Sequence, residues 1–288
     1  MSAVKNGWTG GQYSVYRVVL ALALATHFGV AGWIFAVPLT LGAGDRLAAL
    51  VFVAGAALSL AITPSSVTSG GLFATALVAL HFATPGRPYG SWGARNRADP
   101  GAGWWLPARV HWAARVLALV ALIVVFGKLA PPAVLWLPLL LLAFDPGSVP
   151  PKREGAPVRL YYDGECGLCH AAVRFVLAED RDGQGFRFAP LASESFARVA
   201  PAELRATLPD SLVLALQDGT LLLRSAAVLE IGERLGGLWR IGARSAGLLP
   251  RAWLDRAYDA IARNRKRFVR RPEEACPLVS PELRARFD

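Results

Sequence analysis

VRLYYDGECGLCHAAVRFVL, residues 158–177, decides how this chain is read. Val158 to Tyr162 has the β-branched and aromatic content of a strand, and "DGECG" follows as a turn. "LCHAAVRFVLAED" then repeats apolar residues at helical spacing, with Leu168, Ala171 or Ala172, Phe175 and Val176 on one face. Cys166 and Cys169 therefore sit at a strand-to-helix junction, Cys166 just before or at the first helical turn. A helix N-terminus presents unpaired N–H groups and a partial positive charge, which favour a thiolate over a thiol. Two cysteines three apart on such a turn can close a small disulfide ring. One attacks a target disulfide and the other releases the mixed intermediate. On this reading Cys166 is the exposed nucleophile and Cys169, one turn inward, is the resolving thiol. Asp163 and Glu165 act in the opposite sense, because nearby negative charge works against a thiolate.

The same residues admit other readings. A metal site needs two more ligands, and the candidates are His170 and Cys276, the latter more than a hundred residues away; structural zinc usually brings two close pairs. "CGLCH" also satisfies the haem-attachment pattern, but a strand precedes it and no second axial ligand is evident. A purely structural role for the thiols is the remaining alternative.

Composition divides the chain. Residues 1–150 hold 9 Lys or Arg and 3 Asp or Glu, against 22 and 18 in residues 151–288. The first half is too poor in charge for an ordinary soluble domain. Its apolar segments run at about 15–41, 46–63, 70–84, 109–130 and 132–145, some long enough to cross a bilayer core of roughly 30 Å and some short. Five crossings are expected, the last interrupted by Pro138. Assigned to alternate loops, Arg46, Arg87, Arg95, Arg97, Arg109, Lys152 and Arg153 fall on one side, and Lys5, Lys128 and Arg17 on the other. Basic residues favour the cytoplasm, which puts the second half there. His27, His81, His111, Arg115 and Lys128 lie in or near the apolar segments; His27 reads as deep, and the others as snorkelling to the interface. No cysteine precedes Cys166, so the first half passes no electrons through thiols of its own.

After the linker "DPGSVPPKREGAP", the second half reads strand, helix, strand, helix, hairpin, helix. "GFRFAPL" is the second strand, and "SESFARVAPAELRATL" a helix interrupted by Pro201. "SLVLALQDGTLLLRS" is a hairpin around Asp218-Gly219, and "SAAVLEIGERLGG" a helix with Ser225 as N-cap. That is the order of a thioredoxin-like domain. The tail "RAWLDRAYDAIARNRKRFVRR" is a basic amphipathic helix, either the last helix of the fold or a surface for anionic lipid. A nucleic-acid surface is not expected of so short a basic cluster.

"YYDGECGLC", the "DGT" hairpin followed by "SAAVLEI", and the late "ARNR" together resemble the DCC family of thiol-disulfide oxidoreductases, named for an Asp-x-x-Cys-x-x-Cys motif. The resemblance spans roughly residues 158–270. It implies a thioredoxin-like fold, thiol-disulfide exchange, and Asp163, Cys166 and Cys169 as site residues. The cis-proline of better-known thioredoxin-like enzymes has its nearest counterpart in Pro209. "WWLPARVHWAARVLALVALIVVFGKL" distantly resembles the membrane domains of vitamin-K-dependent carboxylase-like proteins.

The expected architecture is an α-helical transmembrane domain of about five spans over residues 1–148, a linker at 149–157, an α/β thioredoxin-like domain at 158–271 and a tail at 272–288. The expected function is a membrane-anchored thiol-disulfide oxidoreductase without cofactor or metal, exchanging electrons with a protein dithiol or disulfide. The alternatives are a non-enzymatic docking or sensing module, and a catalytic membrane half that binds lipid or quinone near His27.

Overall fold

A computed structural model describes residues 6–95, 97–125, 132–164, 166–207, 212–268 and 280–288. Lys5, Lys128, Glu165, Pro209 and Cys276, singled out above, lie outside them. The chain forms two compact units, one of residues 1–95 and 104–147, the other of residues 96–103 and 148–288.

The first unit is helical: α1 (Gly10–Phe28), α2 (Val30–Leu41), α3 (Asp45–Ile62), α4 (Ser69–Phe82), α5 (Ala108–Val125) and α6 (Ala133–Ala143). The apolar run 15–41 is two helices rather than one, broken at Gly29 with φ 59°, a left-handed conformation that glycine adopts without steric cost. α2 folds back on α1 so closely that a Cβ at Gly32 would collide with the Leu24 carbonyl and lie 2.8 Å from Ala25 Cα. Gly32→Ala is therefore expected to destabilise this unit by about 1–3 kcal/mol. Gly55→Ala, in open space on α3, is expected to be neutral or slightly stabilising. Thermal unfolding of the two variants in detergent compares them directly.

Among the described residues one helix, α3, is long and apolar enough to cross a membrane, and almost none of it is buried. α2, α4 and α6 are apolar but shorter. Of the five expected crossings, one is matched among the described residues by a helix that meets both the length and the apolarity of a span.

His81 and His111, expected to reach the interface, are instead buried and bonded, because a polar group away from water requires a partner. His81 Nδ1 accepts from the Tyr13 hydroxyl at 2.9 Å, and its Nε2 lies 3.3 Å from Asp45, an ion-pair distance without good hydrogen-bond alignment. His111 Nε2 is bonded to the Phe144 carbonyl at 2.9 Å, and Arg115 Nε donates to the Ala143 carbonyl at 3.2 Å. The reverse holds for His27, which ends α1 half-buried against Gly70 and the Phe28 ring. The deeply buried cation is Arg17, whose Nη2 donates to the Gly90 carbonyl.

In the second unit the elements are β1 (Val158–Tyr162), α7 (Gly167–Glu179), β2 (Phe186–Pro190), α8 (Glu194–Val199), α9 (Ala202–Thr207), β3 (Val213–Ala215), β4 (Leu221–Leu223), α10 (Arg224–Leu235), α11 (Gly237–Ala246), α12 (Arg251–Phe268) and a short α13 (Pro281–Arg284). The sheet order is β2-β1-β3-β4, with β1 parallel to β2 and antiparallel to β3, and β3 antiparallel to β4. This mixed four-strand sheet fits a thioredoxin-like domain.

Strand alternation sorts the core. Val158, Leu160 and Tyr162 join Phe186, Phe188 and Leu214 on one face, under Val173 and Val176 of α7 and Ala227 and Ile231 of α10. Tyr161, Ala189 and Val213 face the other way, against Phe196 and Ala200. The buried carboxylate of Glu179 at the end of α7 accepts from Trp239 Nε1 at 2.6 Å, and the Trp239 ring meets Phe175 edge-on.

Ser225 does not cap α10. The helix begins two residues earlier than that cap implies, with Leu223 as N-cap and Arg224 at φ 50°. Asp255 of α12 reaches over to accept from both the Ser225 N–H and its hydroxyl, so the end is capped from another helix. Hydrogen bonding from Ser225, chiefly its hydroxyl, holds the Asp255 carboxyl below its ordinary range.

The chain end returns to the outer edge of the sheet. Phe188 N–H donates to the Arg286 carbonyl at 2.9 Å, and Asp288 N–H donates to the Phe188 carbonyl at 3.0 Å. This short parallel bridge covers an edge that would otherwise present unpaired backbone groups.

Candidate active site

The site is built at the end of β1. The strand delivers Tyr162 into the core, the chain turns through Asp163 and Gly164, and α7 starts with Cys166 as its N-cap residue. The turn is closed by Cys166 N–H donating to the Asp163 carbonyl at 3.2 Å. His170 N–H donates to the Cys166 carbonyl at 3.1 Å, the first helical bond. At an N-cap position a side-chain acceptor can receive the orphan N–H groups of the first turn, and the Cys166 side chain makes no such bond as a thiol.

Cys166 and Cys169 approach to 3.3 Å and are not joined by a disulfide. An S–S bond is about 2.05 Å long, so the two cysteines must close by a further movement of about 1 Å to form one. The expected contrast between an exposed Cys166 and an inward Cys169 is not found. Both are buried, 9% and 5% exposed, and both join the apolar cluster that contains Tyr162 and Val173. The reason is geometric: a strand that ends inside the core places the first turn of the next helix there too. Asp163 is half-buried beside them, its backbone carbonyl closing the turn.

The sequence treats His170 only as a possible ligand, whereas the structure places it in the site. Its Nε2 donates to the Gly164 carbonyl at 2.8 Å, which leaves Nδ1 as the acceptor of the neutral ring. Nδ1 is buried with no hydrogen-bond partner. The ring lies edge-on to Tyr162 at 5.6 Å, next to Cys169 in sequence and one helical turn from Cys166. That i, i+4 spacing was the available signal, since such residues share a helix face. Among the described residues no group of three or more His, Cys, Asp or Glu is placed to hold a metal ion.

A family model described as DCC1-like thiol-disulfide oxidoreductase matches residues 160–271, which include Asp163, Cys166, Cys169 and His170. The chain is also similar to the uncharacterized protein YuxK of Bacillus subtilis (strain 168), 33% identical over 132 residues that make up 44% of this chain and 91% of that protein. No solved structure matches. With nearly the whole of that relative covered and the family's model lying over the cysteine pair, the chain belongs to the DCC1-like thiol-disulfide oxidoreductase family.

Proposed function

We propose that the chain is a membrane-anchored thiol-disulfide oxidoreductase that exchanges electrons with a protein dithiol or disulfide through Cys166 and Cys169. The observation that carries this reading is the approach of the two cysteines to 3.3 Å at the N-cap of a helix. In the reducing direction Cys166 loses its proton and its thiolate attacks one sulfur of the partner disulfide. A mixed disulfide forms and the partner's other sulfur leaves as a thiolate. Cys169 then attacks Cys166, so that the partner is released as a dithiol and Cys166–Cys169 becomes the disulfide. Two electrons pass to the partner, and the protons of the two thiols end on its sulfurs.

His170 Nδ1 is a buried acceptor next to Cys169 in sequence with no hydrogen-bond donor on it, and it takes the first proton only where the Cys166 side chain turns toward it. Titratable groups adjoining it in the sequence of the turn and first helical turn are Tyr162, Asp163, Glu165 and the two thiols. His170→Asn is expected to slow disulfide exchange at neutral pH by roughly 100-fold, with the rate recovering at alkaline pH as hydroxide replaces the base. A rate depressed equally at every pH would mean that His170 only props the turn.

Membrane anchoring is supported by α3, whose apolar surface is almost entirely uncovered, and by the low charge of the first half. The basic residues of the 85–109 and 152–153 segments favour the cytoplasmic side for the second unit. There a pair with a thioredoxin-like potential of about −270 mV rests as the dithiol and acts as a reductant. The test is equilibration of the full-length protein against glutathione buffers with thiol trapping. A reversible two-electron transition assigned to Cys166 and Cys169 supports the reading, and failure to form that disulfide under any oxidant ends it.

The burial of both thiols favours a second reading, a non-enzymatic docking or sensing module. It requires alkylation of Cys166 in the native protein to be no faster than global unfolding, whereas the exchange reading requires it to be faster.

A further inference from the structure

We propose that the corner between α11 and α12 is a docking surface for an anionic membrane. α11 ends at Ala246, and a turn over residues 247–250 leads into α12. The turn is ordered: Leu248 N–H donates to the Ser245 carbonyl, Leu249 N–H to that of Ala246, and Trp253 N–H to that of Pro250. These bonds hold the apolar side chains outward. Leu248 is 87% exposed and Trp253 61%, with Leu249 and Ile241 also exposed. Two adjacent leucines and a tryptophan held in water on a rigid corner form a surface that folding leaves uncovered.

The charges around this tip choose the partner. Its acidic groups are engaged within the fold: Glu233 with Arg240 and Arg244, Asp255 with Ser225, and Asp259 with Arg224. The exposed Arg256 and Arg263 form no ion pair among the described residues, and Arg251 stands exposed at the start of α12. The result is an apolar tip with a basic flank. That combination fits the headgroup boundary of an anionic bilayer, where Leu and Trp enter the acyl edge and arginine meets lipid phosphate. Nucleic acid would satisfy the arginines and leave the leucines in water. A second copy of this chain would bring arginine against arginine.

The docking surface goes beyond the exchange chemistry and rests only on a bilayer being present. Full-length protein is placed in nanodiscs of phosphatidylcholine, in nanodiscs that also contain phosphatidylglycerol, and in detergent, and backbone hydrogen exchange is followed by mass spectrometry. Amides of residues 247–253 are expected to exchange at least about tenfold more slowly in the anionic discs than in the other two. Salt at about 1 M, where the screening length falls to about 3 Å, and the double variant Leu248→Ser/Leu249→Ser should each remove the difference. Unchanged exchange in β1 and α7 of that variant shows that it folds. Equal rates at the corner in all three media overturn the proposal. So does protection in detergent that grows with protein concentration, which would show that a second copy covers the surface. Exchange in α3 reports separately on membrane anchoring: an unprotected α3 beside a protected corner would end the anchoring and leave the docking surface standing.

Discussion

Cys166→Ser is expected to lower disulfide exchange to the uncatalysed rate, a loss of at least about a thousandfold, while Cys169→Ser accumulates a stable mixed disulfide with the partner. Both follow from position. Cys166 is the N-cap residue of α7, at the positive end of the helix, and Cys169 approaches it to 3.3 Å. The serine hydroxyl keeps the size of the side chain and loses its nucleophilicity, so the fold survives and the chemistry does not. The measurement is reduction of a small aromatic disulfide by full-length protein, together with non-reducing electrophoresis of each variant. Full activity in the Cys166→Ser protein would refute the exchange reading. A mixed disulfide trapped by Cys166→Ser in place of Cys169→Ser would exchange the two roles. Because both thiols are buried, the partner disulfide must gain access to the first turn of α7. Large partners are therefore expected to react more slowly than small disulfides.

The second large effect concerns the carboxylate of Asp180, which is fully buried just after α7. Arg286 Nη2 donates to one oxygen at 2.6 Å and Arg153 Nη2 to the other at 2.9 Å. The Gly185 N–H points at both, at 3.1 and 3.3 Å. Arg286→Ala removes one cation from a charge that has no access to water, and is expected to cost about 3–5 kcal/mol, a large fraction of the roughly 5–15 kcal/mol that holds a domain folded. The same substitution loosens the return of the chain end to Phe188. The double variant Asp180→Asn/Arg286→Met should recover part of the loss, because the uncompensated charge goes with its partner. Urea unfolding read by tryptophan fluorescence, with hydrogen exchange in β2, separates the cases. An Arg286→Ala protein as stable as the wild type would mean that Arg153 and Gly185 suffice.

Much of this unit is legible in the sequence because its signals are local. Alternation marks β1, the Asp218-Gly219 pair marks the turn between β3 and β4, and Pro201 separates α8 from α9. The cysteine pair is legible for the same reason, since its spacing, preceding strand and following helix lie within one short stretch. The cap of α10 is misread: Ser225 has the right chemistry, but Asp255, on another helix, binds it. α11 has no distinct sequence signal and stands out in the structure through Trp239 and the glycines at its start. In the first unit, an apolar run such as 15–41 has nearly the same composition whether it forms one helix or a hairpin. The conformation of Gly29 makes the difference.

The division of charge between the halves, the strand, turn and helix around Cys166 and Cys169, and the three residues of the motif can all be read along the chain, because each depends on neighbours in it. The burial of both thiols, the open acceptor of His170 on the same turn, the return of Arg286 to Asp180 and the exposure of Leu248 and Trp253 emerge with the fold. These depend on groups brought together across the fold, where burial sets the strength of each interaction, and no local pattern of residues encodes that.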